Sequence, residues 1–325
     1  MDWYDIRARA DKLRPVSIVI GGRGIGKTYS ALSFLIESGK PFLYVRNTDK
    51  QMSLCASAFG NPFKKVAQDK GMNITMKAEG EVYVIKHETE EETNIIGYGS
   101  SLSTFENMRG VDLSDVVYVL FDEFIENRKL AYKQGAAFLN LYETINRNRE
   151  LEGRPPLICI LLSNAQRLGN DILADLGLIS VIENMIRNGE RLRITKDVFI
   201  ELPQSAVSEG KADTALYRMA AGSRYADEAL KNEFANDSFY GVKKQPLREY
   251  APLCALDDVY IYRHKSNGQY YCCRSRADVQ EFNSGDQLAL FNRRFGVRLR
   301  AAIAGGNCYF SEFTIKMFIV DKLKI

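Results

Sequence analysis

Residues 16–28 read VSIVI-GGRGIGKT, and this stretch decides the fold. The first half is a β-branched apolar run, and residues 21–28 match the pattern G-x-x-x-x-G-K-[ST] in full. Apolar side chains then recur at residues 31, 32, 35 and 36, the spacing of an amphipathic helix. A strand, a glycine-rich loop and a helix in this order predict a P-loop, in which backbone N–H groups surround phosphates at a helix N-terminus. The alternative, a chance glycine turn, does not explain the flanking strand and helix.

The loop residues are candidate contacts of a bound nucleotide. The set is Gly21, Gly22, Arg23, Gly24, Ile25, Gly26, Lys27 and Thr28. Lys27 would lie on the β- and γ-phosphates with a catalytic role, and Thr28 would bind Mg²⁺ through its hydroxyl. Arg23 and Arg46, the latter after the apolar run FLYVR, are weaker candidates for a phosphate-facing role.

A pair of acidic residues follows another apolar run. Residues 116–121 (VVYVLF) lead directly into Asp122 and Glu123. A P-loop enzyme needs a carboxylate at the end of a second core strand to support Mg²⁺, and we assign this role, as an outer-sphere ligand, to Asp122. Glu123 is placed to orient or polarise the attacking water, which favours hydrolytic motors over GTPases. The sequence has no N-K-x-D motif, so the predicted cofactors are ATP and Mg²⁺. The alternative is a solvated strand end.

Two further side chains are candidates for contact with the γ-phosphate. Asn164 follows the apolar run 157–162 and would sense the γ-phosphate, with a simple β-turn starter as the alternative. Arg147 lies near the end of a predicted helix over 136–149. An exposed guanidinium there would act as an arginine finger on a neighbouring subunit in a ring. An arginine that compensates the helix dipole is the alternative.

The apolar runs also indicate the organisation of the chain. Four of them are short and separated by helix-length segments, which predicts buried parallel strands over residues 16–20, 42–46, 116–121 and 157–162. Residues 72–86 alternate and predict an inserted hairpin. We predict an α/β P-loop domain over 1–202, a small helical linker over 203–235, and a β-rich domain over 236–325 with a hairpin at Asn267-Gly268.

Composition disfavours several classes of protein. The 325 residues include 44 Lys and Arg against 41 Asp and Glu, a net charge of +3, which argues against a histone-like nucleic-acid binder. The positive excess lies in residues 226–325. Two histidines and six cysteines without a C-x-x-C pair disfavour a zinc site. No apolar run is long enough to cross a bilayer, so we expect a soluble, intracellular protein with no membrane partner.

Together these motifs resemble the DNA-encapsidation (genome-packaging) ATPases of small, protein-primed tailed bacteriophages, which are short, terminase-like proteins. The resemblance covers residues 15–202 and is carried, in the family's order, by VIGGRGIGKTYS, FLYVR, VLFDEF, NRNRE and LLSNA. It implies a P-loop NTPase of the additional-strand catalytic-glutamate type. Residue by residue, it places the Walker B acid on Asp122, the catalytic glutamate on Glu123 and a trans-acting arginine finger on Arg147. NRNRE stands where FRNRE is expected, so Arg147 keeps its place while a neighbouring residue differs.

The resemblance also implies partners and a place of action. Such ATPases form a ring, five-membered by analogy, on the portal of a procapsid and pump double-stranded DNA inward. Some relatives add a structural packaging RNA. The protein would work in the host cytoplasm, dock transiently on the procapsid and be absent from the mature virion. Arg109 and, as a shifted match, Lys50 fall at DNA-contacting places of the family, with an ordinary solvated cation as the alternative for each.

For the C-terminal domain the resemblance implies a degenerate RNase H-like nuclease fold. A working nuclease would hold two metal ions between acidic residues at strand ends, and the clear candidates are Asp257, Asp258 and Asp278. Because no convincing third partner appears at a matching strand end, we favour a non-catalytic domain that binds nucleic acid or the portal. Its phosphate-contacting surface would be the cluster Arg293, Arg294, Arg298 and Arg300.

Two other functions stay open from the sequence. The first is a packaging terminase with an active, metal-dependent nuclease, whose cutting would be lost on Asp257→Ala or Asp258→Ala. The second is a cellular P-loop ATPase or small-molecule kinase without a DNA role. Its ATPase activity would be indifferent to DNA and to subunit concentration.

Overall fold

The computed structural model describes the chain apart from residues 1–2, 81, 109–111, 127–129, 131, 165–167, 205–206, 208–209, 212, 221–240 and 325. The chain forms two compact units, Met1–Leu176 with Met185–Asn236, and Gly177–Asn184 with Asp237–Ile325. The division into three domains with borders at residues 202 and 235 stays a prediction. None of the described helices is both long and apolar enough to pass through a bilayer.

The first unit is built on a nine-stranded sheet. Its strands are β1 (Val16–Gly21), β2 (Phe42–Arg46), β3 (Ile74–Glu79), β4 (Val82–Glu88), β5 (Thr93–Ser101), β6 (Tyr118–Asp122), β7 (Ile158–Asn164), β8 (Leu192–Ile194) and β9 (Val198–Glu201). They lie in the order β3-β4-β5-β2-β6-β7-β1-β9-β8. The hairpin predicted over residues 72–86 is confirmed as β3 and β4, which join this sheet through β5.

The four predicted core strands are confirmed as β1, β2, β6 and β7. They run parallel in the order β2-β6-β7-β1, so β7 lies between β1 and β6. Their central residues are almost fully buried, because side chains pack on both faces of the sheet. The carboxyl ends of parallel strands meet at one edge of a sheet. The residues that follow β1, β2, β6 and β7 are therefore brought together.

The helices connect and cover the strands. They are α1 (Lys27–Ser38), α2 (Asp49–Cys55), α3 (Lys64–Lys70), α4 (Gln134–Asn146), α5 (Asp171–Asp175), α6 (Ile179–Arg187), α7 (Ala215–Met219), α8 (Leu288–Phe291), α9 (Val297–Ala304) and α10 (Phe313–Leu323). Helix α1 follows the P-loop as predicted, and Gly26 at its start has φ 97°. Helix α4 ends before the predicted limit at residue 149, because Arg147 has φ 44°, an angle at which a helix cannot continue.

The second unit contains a five-stranded sheet. Its strands are β10 (Tyr250–Leu256), β11 (Val259–His264), β12 (Tyr270–Cys273), β13 (Glu281–Phe282) and β14 (Cys308–Phe310). They lie in the order β13-β10-β11-β12-β14, and the predicted hairpin is confirmed, with φ 74° at Gly268 between β11 and β12. Residues 288–323 are mainly helical, with a π-helical turn at Asn292–Gly296, so the β-rich prediction fails for this part. The helical signal was present in the sequence, because apolar residues recur at three- and four-residue intervals and pack in one core cluster: Leu288, Phe291, Phe295, Leu299 and Ala302.

Candidate active site

The P-loop joins β1 to α1 and depends on glycine at particular places. Gly24 and Gly26 have φ angles of 62° and 97°, which favour glycine over residues with a side chain. At Gly21 the requirement is packing, because a Cβ atom there would lie 2.9 Å from the Cγ atom of Pro203. Two different physical reasons therefore fix glycines in the loop.

Lys27 is buried at the start of α1 and is held by the loop itself. Its ammonium donates to the carbonyl oxygens of Gly21, at 2.9 Å, and Gly22, at 2.7 Å, and to Asn164 Oδ1 at 3.1 Å. Burial lowers the pKa of Lys27 to about 8, against the opposing effect of the Asp122 charge. The structure thus brings Asn164, at the end of β7, to the P-loop lysine.

Asp122, the last residue of β6, faces the start of α1. Thr28 Oγ1 donates to Asp122 Oδ1 at 3.0 Å, so the two residues predicted to support Mg²⁺ are in contact. Tyr44 and Arg46 each donate to Asp122 Oδ2 at 3.2 Å. Burial raises the pKa of this carboxyl above its usual value, while the Arg46 charge opposes that rise. A hydroxyl and a carboxylate in contact offer the oxygen ligands that Mg²⁺ prefers.

Glu123 follows directly and is held by a residue whose role the sequence did not reveal. Arg46 Nη2 lies 2.5 Å from Glu123 Oε2, so the same guanidinium bridges Asp122 and Glu123. The Arg46 side chain is 13% exposed, whereas that of Glu123 is 54% exposed. From the sequence, Arg46 was one of the weaker candidates for a phosphate-facing role, and that role stays a prediction. The structure places Arg46, at the end of β2, between the two carboxylates.

These residues line one pocket. It has a volume of about 380 Å³ and is lined by Arg23, Gly24, Gly26, Lys27, Thr28, Tyr29, Asp122, Glu123, Ser163 and Asn164. Its volume falls in the range of small-molecule sites. The loop residues Gly21, Gly22 and Ile25 are not among the described lining residues.

The two arginines of the NRNRE segment have different environments. Arg149 is 5% exposed, and its Nη2 donates to the carbonyl oxygens of Ser114, at 2.7 Å, and Val116. Arg147 is exposed, and among the described residues its side chain donates only to a neighbour in sequence, from Nε to Thr144 O at 3.2 Å. Arg149 therefore stabilises the chain leading into β6, while the Arg147 guanidinium faces solvent. Arg147 is not among the described residues that line the pocket.

Backbone strain coincides with the predicted catalytic residues. Within the described residues, four non-glycine positions have positive φ: Glu123 (54°), Arg147 (44°), Asp257 (49°) and Lys324 (56°). Such angles cost about 1–3 kcal/mol for a non-glycine residue and cluster at functional sites. Two of the four are the predicted catalytic glutamate and arginine finger.

The predicted DNA contacts are spread over both units. Lys50 is exposed on α2, and Arg109 lies outside the described residues. Arg293 and Arg298 are exposed, and within the described part of the chain their side chains make no hydrogen bond or ion pair. Arg294 donates to Gln280 Oε1 at 2.6 Å. Arg300 is half-buried and donates to the carbonyl of Leu323 at 3.0 Å. Part of its guanidinium is therefore already hydrogen-bonded to the end of α10.

The acidic residues of the second unit lie in a cleft of mixed charge. The cleft has a volume of about 410 Å³ and is lined by Asp257, Asp258, Tyr260, Arg274, Arg276 and Glu281. Arg274 pairs with Asp258 at 3.0 Å. Among the described residues no group of three His, Cys, Asp or Glu side chains is arranged to hold a metal ion. Asp278 is not among the described residues that line this cleft.

Comparison with known proteins gives the family. A model described as podovirus DNA encapsidation protein (Gp16) matches residues 3–250. The chain is 30% identical over 240 residues to the DNA packaging protein of Bacillus phage B103, an alignment covering 71% of this chain and 68% of that protein.

Solved structures show the same fold. A chain of the bacteriophage Phi-29 viral genome packaging motor assembly has a TM-score of 0.66 at 21% identity, covering 99% of both chains. The N-terminal domain of the DNA packaging ATPase from bacteriophage phi29 has a TM-score of 0.50 at 26% identity, covering 63% of this chain and 97% of that one. The chain belongs to the podovirus DNA encapsidation protein (Gp16) family.

Proposed function

We propose that this protein is the ATPase of a bacteriophage genome-packaging motor and uses ATP hydrolysis to move double-stranded DNA into a procapsid. The observation that carries the proposal is the phosphate pocket, in which Lys27 meets Asn164 and Thr28 meets Asp122. The relatives described above are a DNA packaging protein and a DNA packaging ATPase. A nucleotide pocket in a member of this family is best explained by the motor that drives packaging.

We infer further that the first unit is a P-loop NTPase of the additional-strand catalytic-glutamate type. Two features support this class. Strand β7 separates the P-loop strand β1 from β6, and Glu123 directly follows the Walker B acid, Asp122.

In this proposal each group of pocket residues has its own role in binding the triphosphate. The loop N–H groups bind phosphate oxygens, and Lys27 exchanges its loop carbonyls for the β- and γ-phosphates when ATP enters. Thr28 and, as an outer-sphere ligand, Asp122 would hold Mg²⁺, which would neutralise phosphate charge. Asn164, which contacts Lys27, senses the terminal phosphate.

Hydrolysis requires two more residues, one from a second subunit. Glu123 polarises the attacking water once its carboxylate has left Arg46. Arg147 of a neighbouring subunit then stabilises the charge that develops on the γ-phosphate. This role needs a ring, five-membered by analogy with the family, and the exposed position of Arg147 supports it.

For the second unit we propose a degenerate RNase H-like domain that binds nucleic acid or the portal and does not cut DNA. The exposed Arg293 and Arg298 are its best phosphate contacts. In the first unit, Lys50 and Arg109 are separate candidates for contact with DNA. A structural packaging RNA is a further candidate partner. The ring would act in the host cytoplasm, docked transiently on the procapsid.

The proposal is tested by the ATPase rate of the full chain with and without long double-stranded DNA, across salt and protein concentrations. DNA should raise the rate at low salt, and the stimulation should fall steeply as salt rises, because contacts to DNA phosphates release counterions. Lys27→Ala should abolish the rate under every condition. A rate indifferent to DNA and to protein concentration at all salt levels would refute the motor while leaving an ATPase.

The lowered pKa of Lys27 predicts how nucleotide affinity depends on pH. Phosphates bind the charged ammonium of Lys27. The fraction of neutral Lys27 increases as pH rises through 8, and a neutral Lys27 must take up a proton when the nucleotide binds. ADP affinity should change little just above pH 7 and fall as pH rises through 8, by about tenfold per pH unit well above the Lys27 pKa. Calorimetry between pH 7 and 9.5 measures this.

The matched control for this pH dependence is Lys27→Arg, whose side chain stays charged throughout. It should bind more weakly but with a flat profile. A flat profile in the unsubstituted protein would show that Lys27 does not titrate in this range.

A further inference from the structure

The segment that follows β9 contacts the P-loop at two places. Pro203 occupies the space that a side chain at Gly21 would need. Further along, the Lys211 ammonium donates to the carbonyl oxygens of Arg23, at 2.5 Å, and Gly24, at 3.0 Å. The Lys211 contact uses backbone atoms of the loop, so the P-loop motif gives no sign of it. It is a second lysine on the same loop, approaching from a different part of the chain.

The contact orients the peptide units of the loop. In a trans peptide unit the C=O and N–H groups lie in one plane and point in opposite directions. The carbonyl of Arg23 shares its unit with the N–H of Gly24, and the carbonyl of Gly24 shares its unit with the N–H of Ile25. An ammonium that binds both carbonyls therefore turns both N–H groups away from itself. A left-handed residue, here Gly24 with φ 62°, beside N–H groups turned to one side is a feature of the backbone nests that bind anions.

The charges around the pocket support the same conclusion. Lys211 lies near enough to Lys27 that its charge adds to burial in lowering the pKa of Lys27. Arg23 has the same effect on Lys27 and also lines the pocket. Within the described residues Lys211 pairs with no carboxylate, and its partners are the two carbonyl oxygens. Its positive charge is therefore available to attract a polyphosphate in the pocket.

We propose that Lys211 is a positioning residue for the phosphates of the nucleotide, which shapes the loop over residues 23–25 from its outer side. The inference rests on the proposed nucleotide pocket. Because Lys211 belongs to the segment after β9, the same contact links that segment to the pocket. The coupling is reciprocal. If the Lys211 contact strengthens phosphate binding by a given free energy, phosphate binding strengthens the Lys211 contact by the same amount. The segment should therefore be held more firmly when nucleotide is bound.

The test is equilibrium binding of MgATP and of inorganic tripolyphosphate to the full chain by calorimetry. Lys211→Met keeps the apolar stem but removes the donor, and it should weaken both ligands about tenfold, the effect of losing charge-assisted hydrogen bonds. In steady-state hydrolysis the KM should rise by a similar factor, with kcat changing by less than about twofold. Lys211→Arg should restore most of the affinity, because its guanidinium still donates to carbonyls. Lys196→Ala, an exposed lysine between β8 and β9, is the matched control and should bind normally.

Hydrogen exchange of peptides over residues 203–220 gives a second readout. MgATP should slow exchange there in the unsubstituted chain and have little effect in Lys211→Met. Equal ligand binding by Lys211→Met and the unsubstituted chain would overturn the inference. So would a loss confined to MgATP with tripolyphosphate unaffected, because the contact would then act on the nucleoside. If the unsubstituted chain binds neither ligand, the proposed pocket itself fails, which is a distinguishable result.

Discussion

Replacement of Glu123 by glutamine is expected to reduce ATP turnover by about 100- to 10,000-fold, the usual contribution of a positioned general base. Nucleotide binding should stay within about twofold, because the amide has the same shape and its oxygen still accepts a hydrogen bond from Arg46. Phosphate release in the presence of DNA measures the first effect, and calorimetry with MgADP measures the second.

Glu126→Gln is the matched control for this substitution. Glu126 lies on the same loop and accepts hydrogen bonds from Gln51, at 2.5 Å, and Asn47, at 3.4 Å. It is not among the described residues that line the pocket, so this variant should retain near-normal turnover. Turnover by Glu123→Gln at a comparable rate would mean that Glu123 does not activate the water.

The second large effect is expected on mixing two inactive subunits. Glu123→Gln and Arg147→Ala chains should each lose activity, the latter by about 1,000-fold or more as for other arginine fingers. In a head-to-tail ring each interface joins the pocket of one subunit to Arg147 of the next. About a quarter of the interfaces in a random equimolar mixture would then be complete. Phosphate release plotted against mixing ratio should pass through a maximum near equal amounts.

Arg154→Ala is the control for charge loss in the same turn. Arg154 is exposed and pairs with Glu152 at the surface, so this variant should behave as the unsubstituted chain and should not rescue Glu123→Gln beyond simple dilution. Arg149 would not serve, because its buried guanidinium holds backbone carbonyls. Absence of recovery at every mixing ratio would contradict a trans role for Arg147.

The residues of the pocket could be predicted from the sequence, because each of them belongs to a short motif or directly follows an apolar run. The P-loop is one continuous motif, Asp122 and Glu123 follow one apolar run, and Asn164 follows another. Parallel strands place such ends at one edge of a sheet, so a pattern of short apolar runs brings these residues together without knowledge of any contact.

What the sequence did not reveal depends on contacts between distant residues. Arg46 bridges two carboxylates only because β2 and β6 are neighbours. Lys211 follows β9 in the chain, and its ammonium contacts the backbone carbonyl groups of Arg23 and Gly24 rather than side chains of the motif. At Gly97 in β5, a Cβ atom would lie 2.7 Å from the carbonyl oxygen of Phe42 on β2. Glycine is needed there for close packing between strands.

The positive φ angles of Glu123 and Arg147 have a consequence for protein engineering. Glycine at either position would relieve about 1–3 kcal/mol of backbone strain, so a redesign guided by thermal stability would choose it. The same redesign would remove the carboxylate and the guanidinium on which the proposed chemistry depends. A heat-resistant form of this motor must therefore be sought elsewhere in the chain. At these two positions, thermal stability favours glycine, whereas the proposed ATP hydrolysis requires glutamate and arginine.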